Sequence, residues 1–331
     1  MSGFSPGAGS RFFGEPHLNI DASLLLQAAA AAAATQQFPK STLYLVATPI
    51  GNLADLSLRA IHTLVLVDAV ACEDTRVTAG LLRHLGLHKP FISLHQHNEH
   101  EAAAQLITRL QAGERIAYVS DAGTPAVSDP GAILVAAVQA AGLRVLPLPG
   151  ASAAVTALSV AGDALAQGFR FVGFLPAKGQ ERRAALQVLL GAPYSQVLFE
   201  APHRIAQLLA LLAELAPQQR VTVCRELTKQ FESIATIPAA DWPAWLTADA
   251  NRERGEFVIV IHAPLPEADT EVVPEAAVKL LEALLEHQPV KAAVALVADA
   301  TGAPRNALYE RGLAWRQARD ADDESDESDA D

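Results

Sequence analysis

From Ser41 onward the chain alternates short apolar runs with stretches of helical periodicity, and that alternation restricts it to α/β architectures. Residues 43–47, 69–72, 91–94, 115–120 and 144–149 read as buried strands. The segments 56–66, 77–86, 99–112 and 131–141 read as the helices between them, and Gly150 opens another. Strands separated by helices pair in parallel, so a parallel sheet is expected here. A second alternating block begins near Phe169, with strands at 171–174, 196–199, 220–224, 233–237 and 257–261 and helices at 180–190 and 203–215. Three further helices are expected at about 274–286, at 290–300 and from Pro304 on. Thr301-Gly302 marks the end of the middle one. A short turn containing Gly between two helices has helix-turn-helix geometry. The spacing equally allows a small bundle that packs on the enzyme or on a second subunit.

The expected organisation is therefore a flexible leader at 1–40, an N-terminal α/β domain at 41–160 and a C-terminal α/β domain at 161–266. A helical unit at 272–316 and an acidic tail at 317–331 follow. Half of the 331 residues are hydrophobic, which supplies cores for two domains. The net charge of −12 is uneven: residues 316–331 hold eight acids and two arginines, the pattern of a solvated, disordered tail. The most apolar N-terminal run, 23–34, is too short to span a membrane, and no cluster of positive charge precedes it. Two cysteines, Cys72 and Cys224, exclude a disulfide framework, and the His95/His97 pair has no partner pair at zinc spacing. No metal is expected, and a reduced, cytoplasmic compartment fits.

Three loops follow strands of the first block, on the sheet edge where ligands bind. Thr48-Pro-Ile-Gly-Asn-Leu53 contains Pro49 and Gly51, but no G-x-G-x-x-G occurs anywhere in the chain, which counts against a dinucleotide site. In the second loop, residues 120–124 (Ser-Asp-Ala-Gly-Thr) are small or polar and bring backbone close to whatever lies there. Asp129-Pro130 reads as a helix N-cap followed by proline. In the third, residues 150–153 (Gly-Ala-Ser-Ala) open a helix whose N–H groups can face a ligand oxygen. Charged clusters end other strands: Cys72-Glu-Asp-Thr-Arg76, Glu200-Ala-Pro-His-Arg204, Arg225-Glu-Leu-Thr-Lys229 and Arg254-Gly-Glu-Phe257. Most such pairs are structural, yet repeated at strand ends they form a polar floor under a pocket.

In this order, T-P-I-G-N-L, C-E-D-T-R, S-D-A-G-T-P, P-L-P-G, G-F-L-P-A-K, H-R, R-E-L-T-K and R-G-E-F resemble the ribosomal RNA small subunit methyltransferase I family of the tetrapyrrole methylase superfamily. The resemblance runs from about Ser41 to Leu313. It implies two α/β domains with S-adenosylmethionine in the cleft between them, a homodimer, and 2′-O-methylation of a cytidine ribose in the decoding centre of 16S ribosomal RNA. Carried across, it puts Pro49, Asp121, Ala122, Gly123, Thr124, Ser152, Ala153, Phe174, Leu175, Glu256 and Phe257 around the cofactor.

Methyl transfer from a sulfonium needs positioning and exclusion of water, and a ribose hydroxyl needs a base or a nearby cation. The charged strand ends offer Glu73, Asp74, Arg76, Arg204, Glu226 and Lys229 as candidates. Contacts to the phosphates of the small ribosomal subunit are expected from Arg83, Lys89, Lys178, Arg182, Arg183, Arg254, Lys291 and Arg305. The alternatives are a relative acting on a small molecule or a protein, and a non-catalytic ribosome-binding protein that kept the fold.

Overall fold

The computed structural model describes residues 21–95, 98–264 and 273–328, with side chains as far as Gln317. The described residues up to Ala263 form one compact unit and those from Pro264 on a second. Residues 1–20 of the expected leader, His97 and the last residues of the acidic tail lie outside the described residues.

The first sheet contains β1 (Thr42–Val46), β2 (Ala69–Cys72), β3 (Phe91–Ser93), β4 (Arg115–Val119) and β5 (Arg144–Leu148). All four pairings are parallel, in the order β3-β2-β4-β1-β5. The helices α2 (Leu58–Leu66), α3 (Thr75–His84), α4 (Glu99–Gln111), α5 (Ala132–Ala140) and α6 (Ala153–Ala161) connect its strands or follow them. Side chains alternate along each strand, so the sheet serves two cores. Tyr44 and Val46 pack with Ile61, Leu64 and Leu82 on one side, while Leu43 and Ile116 pack with Leu106, Leu110 and Leu134 on the other.

One helix precedes the sheet. Residues Ala22–Ala33 form α1, capped by the Asp21 carboxylate. Ala29 is buried against the first core, and Leu25, Leu26 and Phe38 pack on it. The carbonyls of Phe38 and Pro39 accept hydrogen bonds from Arg115 Nε and the Tyr44 hydroxyl. Residues 21–40 are therefore part of the domain, which corrects the expectation of a loose leader. The alanine run was marginal as an isolated helix, and tertiary packing supplies what propensity lacks.

The second sheet contains β6 (Phe169–Phe174), β7 (Ser195–Glu200), β8 (Arg220–Arg225), β9 (Ser233–Pro238) and β10 (Phe257–Ile261), in the order β6-β7-β10-β8-β9. Only β6 and β7 are parallel; β10 runs antiparallel to both β7 and β8, and β9 antiparallel to β8. Helical crossovers α7 (Gly179–Leu190) and α8 (Ile205–Leu215) stop there, because seven residues link β8 to β9. A short helix, α9 (Trp242–Thr247), fills the space before β10 and buries Trp242; its length put it below what periodicity can show. The reversal has a functional consequence: Phe257, at the start of β10, pairs with Glu200 and Arg225, at the ends of β7 and β8.

The second unit contains α10 (Glu275–Leu285), α11 (Val290–Thr301) and α12 (Arg305–Ser328) around Leu281, Val297 and Leu308. Gly302 closes α11 in the left-handed conformation, as the sequence predicts. The helix α12 continues to Ser328, into the acidic stretch expected to be disordered. No proline follows Pro304 and no glycine follows Gly312, so nothing local stops it.

Candidate active site

The three loops of the first sheet converge. The loops after β1 and β4 are sewn together by a two-way bridge: Thr48 N–H donates to the Gly123 carbonyl (2.9 Å) and Gly123 N–H to that of Thr48 (3.0 Å). The Thr48 hydroxyl adds a bond to the Ser120 carbonyl (3.0 Å). Thr124 Oγ1 reaches the Ala151 carbonyl (3.0 Å) and joins the second loop to the third. Beyond the second loop, the buried Glu99 of α4 accepts the N–H groups of Gly131, Ile133 and Leu134 (2.9, 3.0 and 3.1 Å). It therefore caps α5 from another helix. Asp129 is not the cap, which is Gly131.

These loops form one wall of a cavity of about 440 Å³. Ala122, Gly123, Thr124, Ser152, Ala153 and Ala154 make a cradle of small side chains. Opposite them stand Phe174, Phe199 and Phe257 from the ends of the second sheet, with Glu200, Ala201, Pro202 and Glu256 beside them. The volume lies in the range of small-molecule sites, which are mostly apolar with a few placed polar groups. Aromatic faces suit a planar base, and carboxylates suit a cation.

Eight of the eleven expected cofactor residues line the cavity. Pro49, Asp121 and Leu175 do not: Leu175 is turned into the second core, and Asp121 accepts the N–H of Asp74 (3.2 Å). Sequence reasoning missed Ile50, Val127, Ser128, Asp129, Leu227 and Val258, among others. Ile50 and Asp129 belong to segments already singled out, so that signal was present.

None of the six expected catalytic residues lines the cavity. Asp74 caps α3 and chelates Arg76 (Nη2 to Oδ2, 2.6 Å), and the hydrogen bonds from Arg76 hold its carboxyl at about 2. The pKa of neighbouring Glu73 is raised by desolvation and by the charges of Asp121 and Asp129.

Arg204 is a correction. It donates to the carbonyls of Leu175 (2.7 Å) and Pro176 (3.3 Å) and pairs through Nε with Glu200 (3.1 Å), whose side chain is fully enclosed. It holds the wall of the cavity, and these hydrogen bonds and this ion pair are structural ones.

Glu226 and Lys229 sit in a strained loop, with Glu226 at φ +53° and Thr228 at φ +67°. Lys229 Nζ bridges Glu226 Oε1 (2.9 Å) and Glu256 Oε2 (3.0 Å). Burial would raise Glu226, but the bonds from Lys229 and from the Glu256 N–H outweigh it and keep its pKa low. Burial would likewise lower Lys229, and the two carboxylates more than reverse it. Gly255, at φ +99°, makes room for this cluster: a Cβ there would stand 2.7 Å from Glu226 Oε1.

The cations expected to meet phosphate divide in two. Arg83, Lys178, Arg183, Arg254, Lys291 and Arg305 are exposed or lie in exposed ion pairs, such as Arg183–Glu214 and Arg305–Asp299 (both 2.8 Å). Lys89 and Arg182 are corrections. Lys89 Nζ caps the end of α2 through the carbonyls of Val65 and Val67 (both 2.7 Å). Arg182 is 3% exposed and donates to the carbonyls of Pro176 (3.0 Å) and Ala177 (3.4 Å). Among the described residues no cluster fit to hold a metal occurs, and no helix is long and apolar enough to cross a membrane.

Two sheets meeting at a small-residue cradle define a tetrapyrrole methylase. The family model described as Tetrapyrrole (Corrin/Porphyrin) Methylases matches residues 42–243, and that described as the RsmI C-terminal HTH domain matches residues 271–316. The crystal structure of diphthine synthase has a similar fold, with a TM-score of 0.50 at 14% identity over 68% of this chain and 91% of that one. The chain is 44% identical to ribosomal RNA small subunit methyltransferase I of Pseudomonas aeruginosa, over 82% of this chain and 96% of that protein. It is 47% identical to the Xylella fastidiosa protein of the same name, over 81% and 97%. The chain belongs to the ribosomal RNA small subunit methyltransferase I family.

Proposed function

We propose that this protein transfers a methyl group from S-adenosylmethionine to the 2′-hydroxyl of a cytidine ribose in 16S ribosomal RNA, working as a homodimer in the cytoplasm on the small ribosomal subunit. The observation that carries the reading is the cavity itself, a cradle of small residues facing three phenylalanines and bordered by carboxylates. Those residues fit the donor. Ala122, Gly123, Ser152 and Ala153 would let its polar chain approach the backbone, the phenylalanines would hold its adenine, and Glu256 would favour its positive charge. When bound, the donor supplies an electrophilic methyl group and leaves as a neutral thioether.

The chain's own residues position and exclude water. Arg204 and Glu200 fix the wall that carries Phe174 and Phe199. Lys229 ties Glu226 to Glu256 at the other side. The exposed cations Arg83, Lys178, Arg183, Arg254, Lys291 and Arg305 would meet phosphate. The test is transfer of labelled methyl groups to small subunits from a strain lacking this enzyme, with the methylated ribose mapped, beside calorimetric titration with the donor. Saturable donor binding and one labelled cytidine are expected. A protein that binds no donor, or labels a tetrapyrrole instead, would overturn the reading.

A further inference from the structure

Three carboxylates line the cavity: Asp129, Glu200 and Glu256. Two are already committed. Glu200 is paired with Arg204 (3.1 Å), and its Oε1 also accepts the N–H of Ala201 (2.9 Å). Glu256 is paired with Lys229 (3.0 Å). Asp129 has no ion pair among the described residues, and it is only partly covered.

Its position is nevertheless fixed on its C-terminal side. The Pro130 carbonyl accepts the hydroxyl of buried Tyr118, and the Gly131 N–H is held by Glu99 (2.9 Å). On its N-terminal side the loop passes through Ala126 at φ +63°, a conformation kept only where surrounding contacts enforce it. The groups facing it are Ser120 and Asp121 on its own loop, Glu73 after β2 and Tyr118 on β4; none of them is a cation.

From this arrangement we infer that Asp129 is the proton acceptor for the hydroxyl that is methylated, an assignment that rests on the function proposed above. In the step, the hydroxyl O–H bond breaks toward an Asp129 carboxylate oxygen. The O–CH3 bond forms with the electron pair left on oxygen as the S–CH3 bond breaks, and the bonding pair of the S–CH3 bond stays on sulfur. Asp129 ends protonated and returns its proton to water when product leaves. Burial and the neighbouring Asp121 raise its proton affinity, a hydrogen bond with Ser120 opposes them, and the net direction is the one this task needs.

The test uses the full-length enzyme, S-adenosylmethionine and unmethylated small subunits. Asp129→Asn is expected to lose at least about 100-fold in kcat, the low end for general base catalysis, with donor Kd within threefold of wild type and an unchanged melting temperature. The acidic limb of the wild-type pH–rate profile should vanish in the variant. Near-wild-type turnover, a retained acidic limb, or a loss that lies wholly in donor affinity overturns the assignment. Should Asp129→Asn melt early, Asp129→Glu decides: reduced turnover with a displaced limb supports the role, and wild-type turnover with an unmoved limb overturns it. A wild-type enzyme that methylates no small-subunit RNA overturns the function and this assignment together, whereas an active wild type beside an equally active Asp129→Asn overturns the assignment alone.

Discussion

Lys229 lies against Gly51, so closely that a Cβ built on the glycine would stand 2.5 Å from Lys229 Cγ. The lysine cannot swing aside without leaving Glu226 or Glu256, each held at about hydrogen-bond distance from its Nζ. Gly51→Ala should therefore cost about 1–3 kcal/mol, as overpacking does, and should weaken donor binding with it. Denaturant unfolding and calorimetry measure the two. A variant with wild-type stability would show that Lys229 is free to move.

The Arg204–Glu200 pair gives a double-mutant prediction. Arg204→Met leaves an enclosed carboxylate without its cation, which should cost about 3–5 kcal/mol. Adding Glu200→Gln should recover part of that, because the stranded charge is gone. Arg204 as a catalytic cation predicts otherwise: the single variant would keep its stability and lose only turnover. Urea melts of the single and double variants separate the two.

Arg182 and Arg254 were alike in sequence and differ in structure. The side chain of Arg182 is spent on two carbonyls, whereas Arg254 is exposed. Arg254→Ala should reduce the salt dependence of RNA binding by about one unit of slope if it meets one phosphate. Arg182→Met should leave that slope unchanged and lower the melting temperature. Binding to small-subunit RNA across a salt series tests both, and a shallower slope for Arg182→Met would refute its structural role.

Glu99 supports the second loop from outside it. Glu99→Ala would leave the N–H groups of Gly131, Ile133 and Leu134 without their acceptor. Stranded buried donors cost about 1–3 kcal/mol each, and water entering the space would offset some of it, so a loss of about 2–4 kcal/mol is expected. Glu99→Gln keeps one acceptor oxygen and should lose less. The order of the two melting temperatures is the check.

Much of this was legible in the chain, and the misses share a cause. Strand periodicity placed β2 and β10 at their observed ends, and small residues at 122–124 and 152–153 marked the cradle. What sequence could not show was which charged side chain turns inward. Arg182 and Arg204 look like surface cations until the carbonyls of residues 175–177 are seen beside them. Asp129 looked like a helix cap because Asp-Pro is a good one; the capping is done by Glu99, thirty residues earlier in the chain and adjacent only after folding. Local pattern fixes elements, and long-range pairing decides the role of a charge. The same limit left α1 marginal in the sequence, because its alanines are held helical by Ala29 and Leu26 resting on the first core.

His262 links stability to pH at the end of the second sheet remote from the cavity. Its Nε2 lies 2.8 Å from Thr222 Oγ1, and Nδ1 lies 4.0 Å from Asp163. Asp163 in turn accepts the Ser195 hydroxyl and the Ala263 N–H (both 2.7 Å), so it ties the segment after α6 to β7 and to the chain after β10. Burial lowers the His262 pKa below its ordinary 6.5; the attraction of Asp163 opposes this and Arg220 reinforces it. The unfolded chain therefore binds this proton at a higher pH than the folded one. The stability it contributes is complete above about pH 6.5 and is lost as pH falls from there through the folded value. Asp163, whose pKa is low despite burial because of its hydrogen bonds and His262, keeps its contribution until much more acidic conditions. Wild-type melting temperature should thus decline between pH 7.5 and 5.5, and His262→Gln should show a flatter decline over the same range. Parallel slopes in the two proteins would assign the pH sensitivity to another group.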